Sequence, residues 1–186
     1  MTKSKPIVFL DRDGVINAFP GKGQYVTRQE NFQFLPRALE AVRLLTEADC
    51  EIYVISNQGC VSRGLITEKA LGEMTERMLE EIRAHGGNIQ KVYYCFHQKL
   101  DNCECKKPKI KLFLEVLGNR KPDMKQVFFV GDSEEDLGAA KNLGCQGILV
   151  LSGKTTAEDL SNFPLTPDVV RNDLYEAAQW IIQKKF

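Results

Sequence analysis

Residues 7–17 read Ile7-Val8-Phe9-Leu10-Asp11-Arg12-Asp13-Gly14-Val15-Ile16-Asn17. Four apolar residues make a strand with no polar face, the pattern of a strand covered on both sides. Two carboxylates follow at once, two positions apart. Like charges this close repel unless a cation lies between them or one holds a proton. An oxygen-preferring ion such as Mg²⁺ suits such a pair.

Further apolar runs at 52–55, 92–94, 127–130 and 148–151 are strand-length and rich in β-branched or aromatic residues. Helical spacing lies between them. Leu39, Val42 and Leu45 recur every three residues, and Leu71, Met74, Met78 and Ile82 every three or four. Lys111–Leu117, Glu134–Leu143 and Leu174–Gln183 read as three more helices, and 169–170 as a last short strand. Strand and helix in alternation imply parallel pairing through crossovers. The expectation is an α/β fold: one doubly wound, Rossmann-like domain over residues 1–186. The segment 58–94 reads as one helix and one strand, too little for a large cap domain.

The 186 residues are 43% hydrophobic, enough for a substantial core. The 25 basic and 25 acidic side chains cancel, and no aromatic-basic stripe is present, which argues against a nucleic acid partner. The apolar run near the start stops at Asp11, too short for a membrane span. A cytoplasmic monomer acting on a small molecule is the expectation. Of six cysteines, Cys95, Cys103 and Cys105 crowd around His97. Three thiolates and an imidazole make a closed, structural Zn²⁺ set, and the loop 95–105 reads as zinc-stapled. Cys50, Cys60 and Cys145 read as small core residues, and His85 as a helix terminus before Gly86-Gly87.

In open α/β sheets, ligands gather beyond the carboxyl ends of the strands. That edge would receive Asp11 and Asp13 from the first strand, Ser56, Asn57 and Gln58 from the second with Arg63 beyond, and Asp132 and Asp136 after the fourth. Arg12 reads as a salt-bridged surface residue pointing away from its neighbours. Asp136 reads as a structural acid in the first turn of a helix.

The ordered set "DRDGVIN", "FQFLP", "SNQGCVSRG", "YYCFH…CECKKP" and "VGDSEEDLGAAKNLG" resembles the haloacid-dehalogenase-like phosphohydrolases. Within them it is most similar to the D-glycero-D-manno-heptose 1,7-bisphosphate phosphatase family and the related histidinol-phosphatase domain, over roughly residues 7–150. The resemblance implies Asp11 as nucleophile, forming an aspartyl-phosphate, and Asp13 as general acid and then base. It implies Mg²⁺ held by Asp11, the backbone carbonyl of Asp13, and Asp132. Ser56 and Lys107 would hold the phosphoryl oxygens, with Asn57, Gln58, Arg63 and Lys106 on the substrate. Lys106 stands where the family has arginine, Ser133 where a lysine is common, and Phe96 where a proline is usual. The loop after Asn17 is longer than the family form. These departures fall on the leaving-group side, so the resemblance fixes the chemistry more firmly than the substrate. It implies removal of the C7 phosphate from D-glycero-D-manno-heptose 1,7-bisphosphate, a small phosphorylated sugar, with histidinol phosphate or another small phosphomonoester as the alternative and a non-catalytic zinc-containing binding module as a remote one.

Overall fold

The computed structural model describes residues 5–184; residues 1–4 and 185–186 lie outside the described residues. The strands are β1 (Ile7–Leu10), β2 (Glu51–Asn57), β3 (Lys91–Cys95), β4 (Val127–Gly131), β5 (Gln146–Val150) and β6 (Val169–Arg171). The helices are α1 (Ala38–Glu47), α2 (Glu68–Ala84), α3 (Lys111–Leu117), α4 (Glu134–Leu143) and α5 (Leu174–Gln183). The six strands form a single parallel sheet in the order β3-β2-β1-β4-β5-β6. The α/β expectation is met, with the doubly wound order that places a crevice where the winding reverses, between β1 and β4.

Parity along the strands decides which residues reach which layer. Val8, Leu10, Ile52, Val54, Phe128 and Val130 pack with α1 and α5 on one face. Ile7, Phe9, Ile55, Val127 and Phe129 pack with α3 and α4 on the other. Phe113 of α3 sits edge-on between Phe9 and Phe129, with ring centroids 4.9 and 5.0 Å away. Both faces are covered, which is why the central strands carry no polar alternation. Between β2 and β3 the only helix is α2, which starts on Thr67 with its side chain accepting from Ala70 N–H. The short loops beyond the strand ends are therefore what surrounds the crevice. His85 caps the C-terminus of α2, and Cys50, Cys60 and Cys145 are buried with free thiols. No helix among the described residues is long and apolar enough to cross a membrane.

One detail of the strand boundaries matters for the site. The apolar run at 52–55 continues in the ladder through Ser56 and Asn57, because both pair in register with Tyr94 and Cys95 of β3. The backbone that carries Ser56 and Asn57 is thus fixed by the sheet and is not a loop.

Candidate active site

Asp11 follows directly on β1, and its N–H donates to Val130 O of β4. The strand is thereby extended by one residue at the reversal of winding, and the carboxylate is delivered into the crevice. A turn comes next: Arg12 O accepts from the N–H groups of Ile16 and Asn17 at 2.8 and 3.1 Å. Gly14 takes φ +86 within it, and a Cβ there would stand 2.0 Å from Asp132 Oδ2. Only glycine allows the turn to close against that carboxylate.

Lys107 is buried beneath the crevice. Its Nζ lies 2.8 Å from Asp11 Oδ1 and 2.7 Å from Asp136 Oδ1, and donates to Ile55 O at 2.9 Å. Its backbone is tied to β2, since Lys107 N–H donates to Asn57 Oδ1 at 3.0 Å and Asn57 Nδ2 donates to Lys107 O at 3.3 Å. Burial opposes the ammonium charge, but Asp11 and Asp136 outweigh it and raise the Lys107 pKa.

Asp136 occupies the first turn of α4 and completes a capping box with Ser133. Its Oδ2 accepts from Ser133 Oγ at 2.5 Å, Ser133 N–H at 3.1 Å and Asp132 N–H at 3.2 Å. The anticipated structural role is therefore carried by specific hydrogen bonds, with the helix dipole as a lesser contribution. Asp132 is fixed by the loop after β5, where Lys154 N–H donates to its Oδ2 at 2.6 Å. Gly153 allows this approach, because a Cβ there would fall 1.9 Å from the same oxygen.

Asp11, Asp132 and Asp136 bring carboxylate oxygens within 4.8 Å of one another. One ammonium faces three acids. Burial, opposed by Lys107 and reinforced by Asp136, pushes the Asp11 carboxyl up to about 6. Burial followed by Asp136 and Asp11 raises Asp132 well above the usual carboxylate range. This surplus of negative charge on hard oxygen donors suits a divalent cation such as Mg²⁺.

A cleft of about 260 Å³ opens above these groups. Asp11, Asp13, Ser56, Asn57, Lys106 and Lys107 line it together, as does Asp132. Phe19 through Tyr25, from the loop after β1, form one wall, and Glu135 and Lys154 form another. Two residues anticipated to touch substrate lie elsewhere. Gln58 is fully buried because its N–H is drawn to Cys95 O at 2.7 Å, and its amide donates to Asp13 Oδ2 and Ser56 Oγ at 2.7 and 3.2 Å. Arg63 is exposed within the turn at 59–64, outside the cleft lining, with its guanidinium 5.5 Å from the Tyr25 ring centroid.

Arg12 corrects the sequence reading. It is 1% exposed and folds back onto Asp13, with Nη2 2.9 Å from Oδ2 and 3.0 Å from Oδ1. The strand ends by diving under the turn, so the residue between the two aspartates points inward. Strand parity alone does not reveal that. Lys154 was also missed, although it follows β5 at the same sheet edge and the rule that located the other residues applies to it equally.

Beside the cleft, Cys95, His97, Cys103 and Cys105 converge, with ligand atoms all within 4.8 Å of one another. Cys95 Sγ lies 3.1 Å from Cys105 Sγ and 3.7 Å from Cys103 Sγ, and His97 Nδ1 lies 3.1 Å from Cys105 Sγ. The four ligand atoms are close enough together to share one metal ion, and thiolates with an imidazole are a donor set that suits zinc. Two residues beyond Cys105 lies Lys107.

Comparison with known proteins agrees with this geometry. A family model described as "HAD-hyrolase-like" matches residues 104–177. The chain is 35% identical over 168 residues to the D-glycero-beta-D-manno-heptose-1,7-bisphosphate 7-phosphatase of Yersinia pestis, covering 85% of this chain and 87% of the relative. It is 34% identical over 151 residues to the protein of that name from Pseudomonas aeruginosa, covering 81% and 84%. Among solved structures, the D,D-heptose 1,7-bisphosphate phosphatase from B. bronchiseptica, complexed with magnesium and phosphate, superposes with a TM-score of 0.88 at 30% identity, covering 96% of this chain and 99% of that one.

Proposed function

We propose, from the premise that this chain belongs to the D-glycero-beta-D-manno-heptose-1,7-bisphosphate 7-phosphatase family of HAD-like phosphatases, that it removes the C7 phosphate of that bisphosphate through an aspartyl-phosphate. The observation that carries the proposal is the Asp11–Lys107 pair. A carboxylate at the end of a central strand, with one oxygen on a buried ammonium 2.8 Å away, is aimed into a cleft as a nucleophile.

Asp11 attacks phosphorus and the bond from phosphorus to the sugar oxygen breaks. Asp13 gives its proton to the departing alkoxide. Water then enters, loses a proton to Asp13 and attacks the same phosphorus; the bond to Asp11 breaks and inorganic phosphate leaves. Ser56, carried on β2, and Lys107, held by Asn57 and giving up one of its present acceptors, donate to the phosphoryl oxygens in both steps. Asn57 contributes by holding the Lys107 backbone. Lys106 is free to meet the rest of the substrate, and the loop of Phe19 to Tyr25 closes that side.

Asp11 and Asp132, with the Asp13 carbonyl, would hold Mg²⁺, whose charge offsets that of the transferring phosphoryl group. The magnesium in the B. bronchiseptica relative supports this, as does the acid surplus between Asp11 and Asp132. Cys95, His97, Cys103 and Cys105 would hold Zn²⁺ as a staple that orders the loop leading into Lys106 and Lys107.

Phosphate release from both anomers of heptose 1,7-bisphosphate, with histidinol phosphate and 4-nitrophenyl phosphate alongside, tests the proposal. Preference for the β anomer, and loss of turnover in Asp11→Asn, is the expected result. Equal turnover of all four compounds would retain the chemistry and reject the substrate.

A further inference from the structure

Asp13 is held by a set of donors that serves no other carboxylate. Arg12 places Nη2 2.9 Å from Oδ2 and 3.0 Å from Oδ1, with Nε 3.3 Å from Oδ1. Asn17 Nδ2 donates to Oδ1 at 2.8 Å and Gln58 Nε2 to Oδ2 at 2.7 Å. Arg12, Asn17 and Gln58 are all buried, so none of these donors is in exchange with bulk water. Three side chains reach the carboxyl from three sides and hold it in one orientation.

The guanidinium is itself wedged in place. Its Cζ lies 5.7 Å from the Tyr94 ring centroid. The Tyr94 hydroxyl is 2.8 Å from Thr75 Oγ1, which donates to Leu71 O within α2. Arg12 thus rests on Tyr94 of β3, which is itself tied to α2, while its own carbonyl closes the turn that carries Asp13. Burying an arginine is costly unless it is paired and hydrogen-bonded, and here the pairing is with a single neighbour. The two aspartates on either side of Arg12 therefore have separate cations, Lys107 for Asp11 and Arg12 for Asp13.

We propose that Arg12 is a positioning residue for proton transfer: by its two-point contact it fixes the orientation of the Asp13 carboxyl, and it does not itself touch substrate. The inference rests on the phosphatase reading above. It separates two kinds of leaving group. A sugar alkoxide departs slowly without a well-aimed proton, whereas 4-nitrophenolate departs without one. Water attack in the second step needs Asp13 for either substrate.

The test compares wild type, Arg12→Met and Arg12→Lys on heptose 1,7-bisphosphate and 4-nitrophenyl phosphate in steady-state and rapid-mixing assays. For Arg12→Met, kcat on the sugar phosphate falls about 100- to 1,000-fold, the scale of general acid–base catalysis, with KM changed by less than about threefold. On 4-nitrophenyl phosphate the same variant gives a burst of nitrophenolate near the wild-type rate, followed by slow turnover. Arg12→Lys, which keeps the charge and loses the fork, recovers part of the sugar-phosphate rate. Circular dichroism checks folding; if Arg12→Met does not fold, Arg12→Lys carries the test by slowing the sugar phosphate more than the nitrophenolate burst. Equal slowing of both processes, or no slowing of either, overturns the proposal. Phosphate release by wild type and its loss in Asp11→Asn are scored separately, so failure of the phosphatase reading is distinguished from failure of the role given to Arg12.

Discussion

Asn57 and Lys107, fifty residues apart, exchange two hydrogen bonds: Lys107 N–H donates to Asn57 Oδ1 at 3.0 Å and Asn57 Nδ2 to Lys107 O at 3.3 Å. The side-chain amide copies the pairing of a further strand at the edge of the crevice. It ties the loop after the cysteine cluster to the end of β2, and the ammonium of Lys107 is aimed as a result.

Replacing Asn57 by alanine removes both bonds and leaves a part-buried backbone donor and acceptor unpaired. A stability loss of about 1–3 kcal/mol is expected. kcat should fall about 10- to 100-fold through misplacement of Lys107, with little change in KM. Urea unfolding and steady-state kinetics on the same preparation check this. Unchanged kcat alongside lost stability would remove Asn57 from the positioning of Lys107.

Lys107→Met leaves Asp11 and Asp136 facing each other without their shared cation. Breaking a buried ion pair from one side costs about 3–5 kcal/mol, so a large fall in the urea midpoint is expected together with loss of turnover. Adding Asp136→Asn to Lys107→Met should recover part of the stability and none of the activity.

Gly153→Ala forces a methyl group to within 1.9 Å of Asp132 Oδ2 unless the loop or the carboxylate moves. The expected outcome is a weaker requirement-site for Mg²⁺, with the concentration for half-maximal activity raised about tenfold or more. Isothermal titration with Mg²⁺ reads the same change without turnover. Unaltered Mg²⁺ affinity would mean that Asp132 is not a ligand.

Removing metal from the cysteine cluster should loosen the loop 95–105 and lower both melting temperature and kcat. Cys105→Ser should abolish bound zinc in elemental analysis. Because structural zinc supplies folding free energy, the effect is expected to be large and reversed in wild type by adding Zn²⁺ back. A metal-free wild type with an unchanged melting curve would reduce the cluster to four packed side chains.

Cys145 is buried in the second hydrophobic layer, and burial pushes its thiol up to about 12. The unfolded chain ionises this thiol near pH 8.5, the native chain only near pH 12, so between those values the native state binds the extra proton. Stability contributed by this group is therefore full below about pH 8.5 and lost as pH rises, at no more than about 1.4 kcal/mol per pH unit. Urea unfolding from pH 8 to pH 10.5 should show a steeper decline in wild type than in Cys145→Ala. Parallel declines would contradict the assignment.

The fold was readable in the chain because its determinants are local and periodic. Ile7–Leu10 and Val127–Val130 show no polar alternation, and a strand covered on both faces requires that. Leu71, Met74, Met78 and Ile82 fall on one helical face and are buried on it. The strand-end rule placed Asp11, Ser56, Asn57 and Asp132 at one edge, where they line one cleft with Asp13. The four ligand-type residues between Cys95 and Cys105 were close enough in sequence for their spacing to be informative.

What the sequence could not decide was the direction of individual side chains at that edge. Arg12 turns inward because the backbone after β1 closes on its carbonyl, and Tyr94 from a different strand and Asp13 from the same turn receive the guanidinium there. Gln58 turns inward because Cys95 O captures its backbone, while Arg63 stays exposed in the following turn. Gly153 and Gly14, 139 positions apart, are both required by one oxygen of Asp132. Such choices depend on contacts between segments far apart in the chain, and residue type and spacing do not carry them. The chain by itself determined the sheet and the chemistry gathered at its edge; the tertiary packing decided which polar groups face the cleft and which stand behind it to aim them.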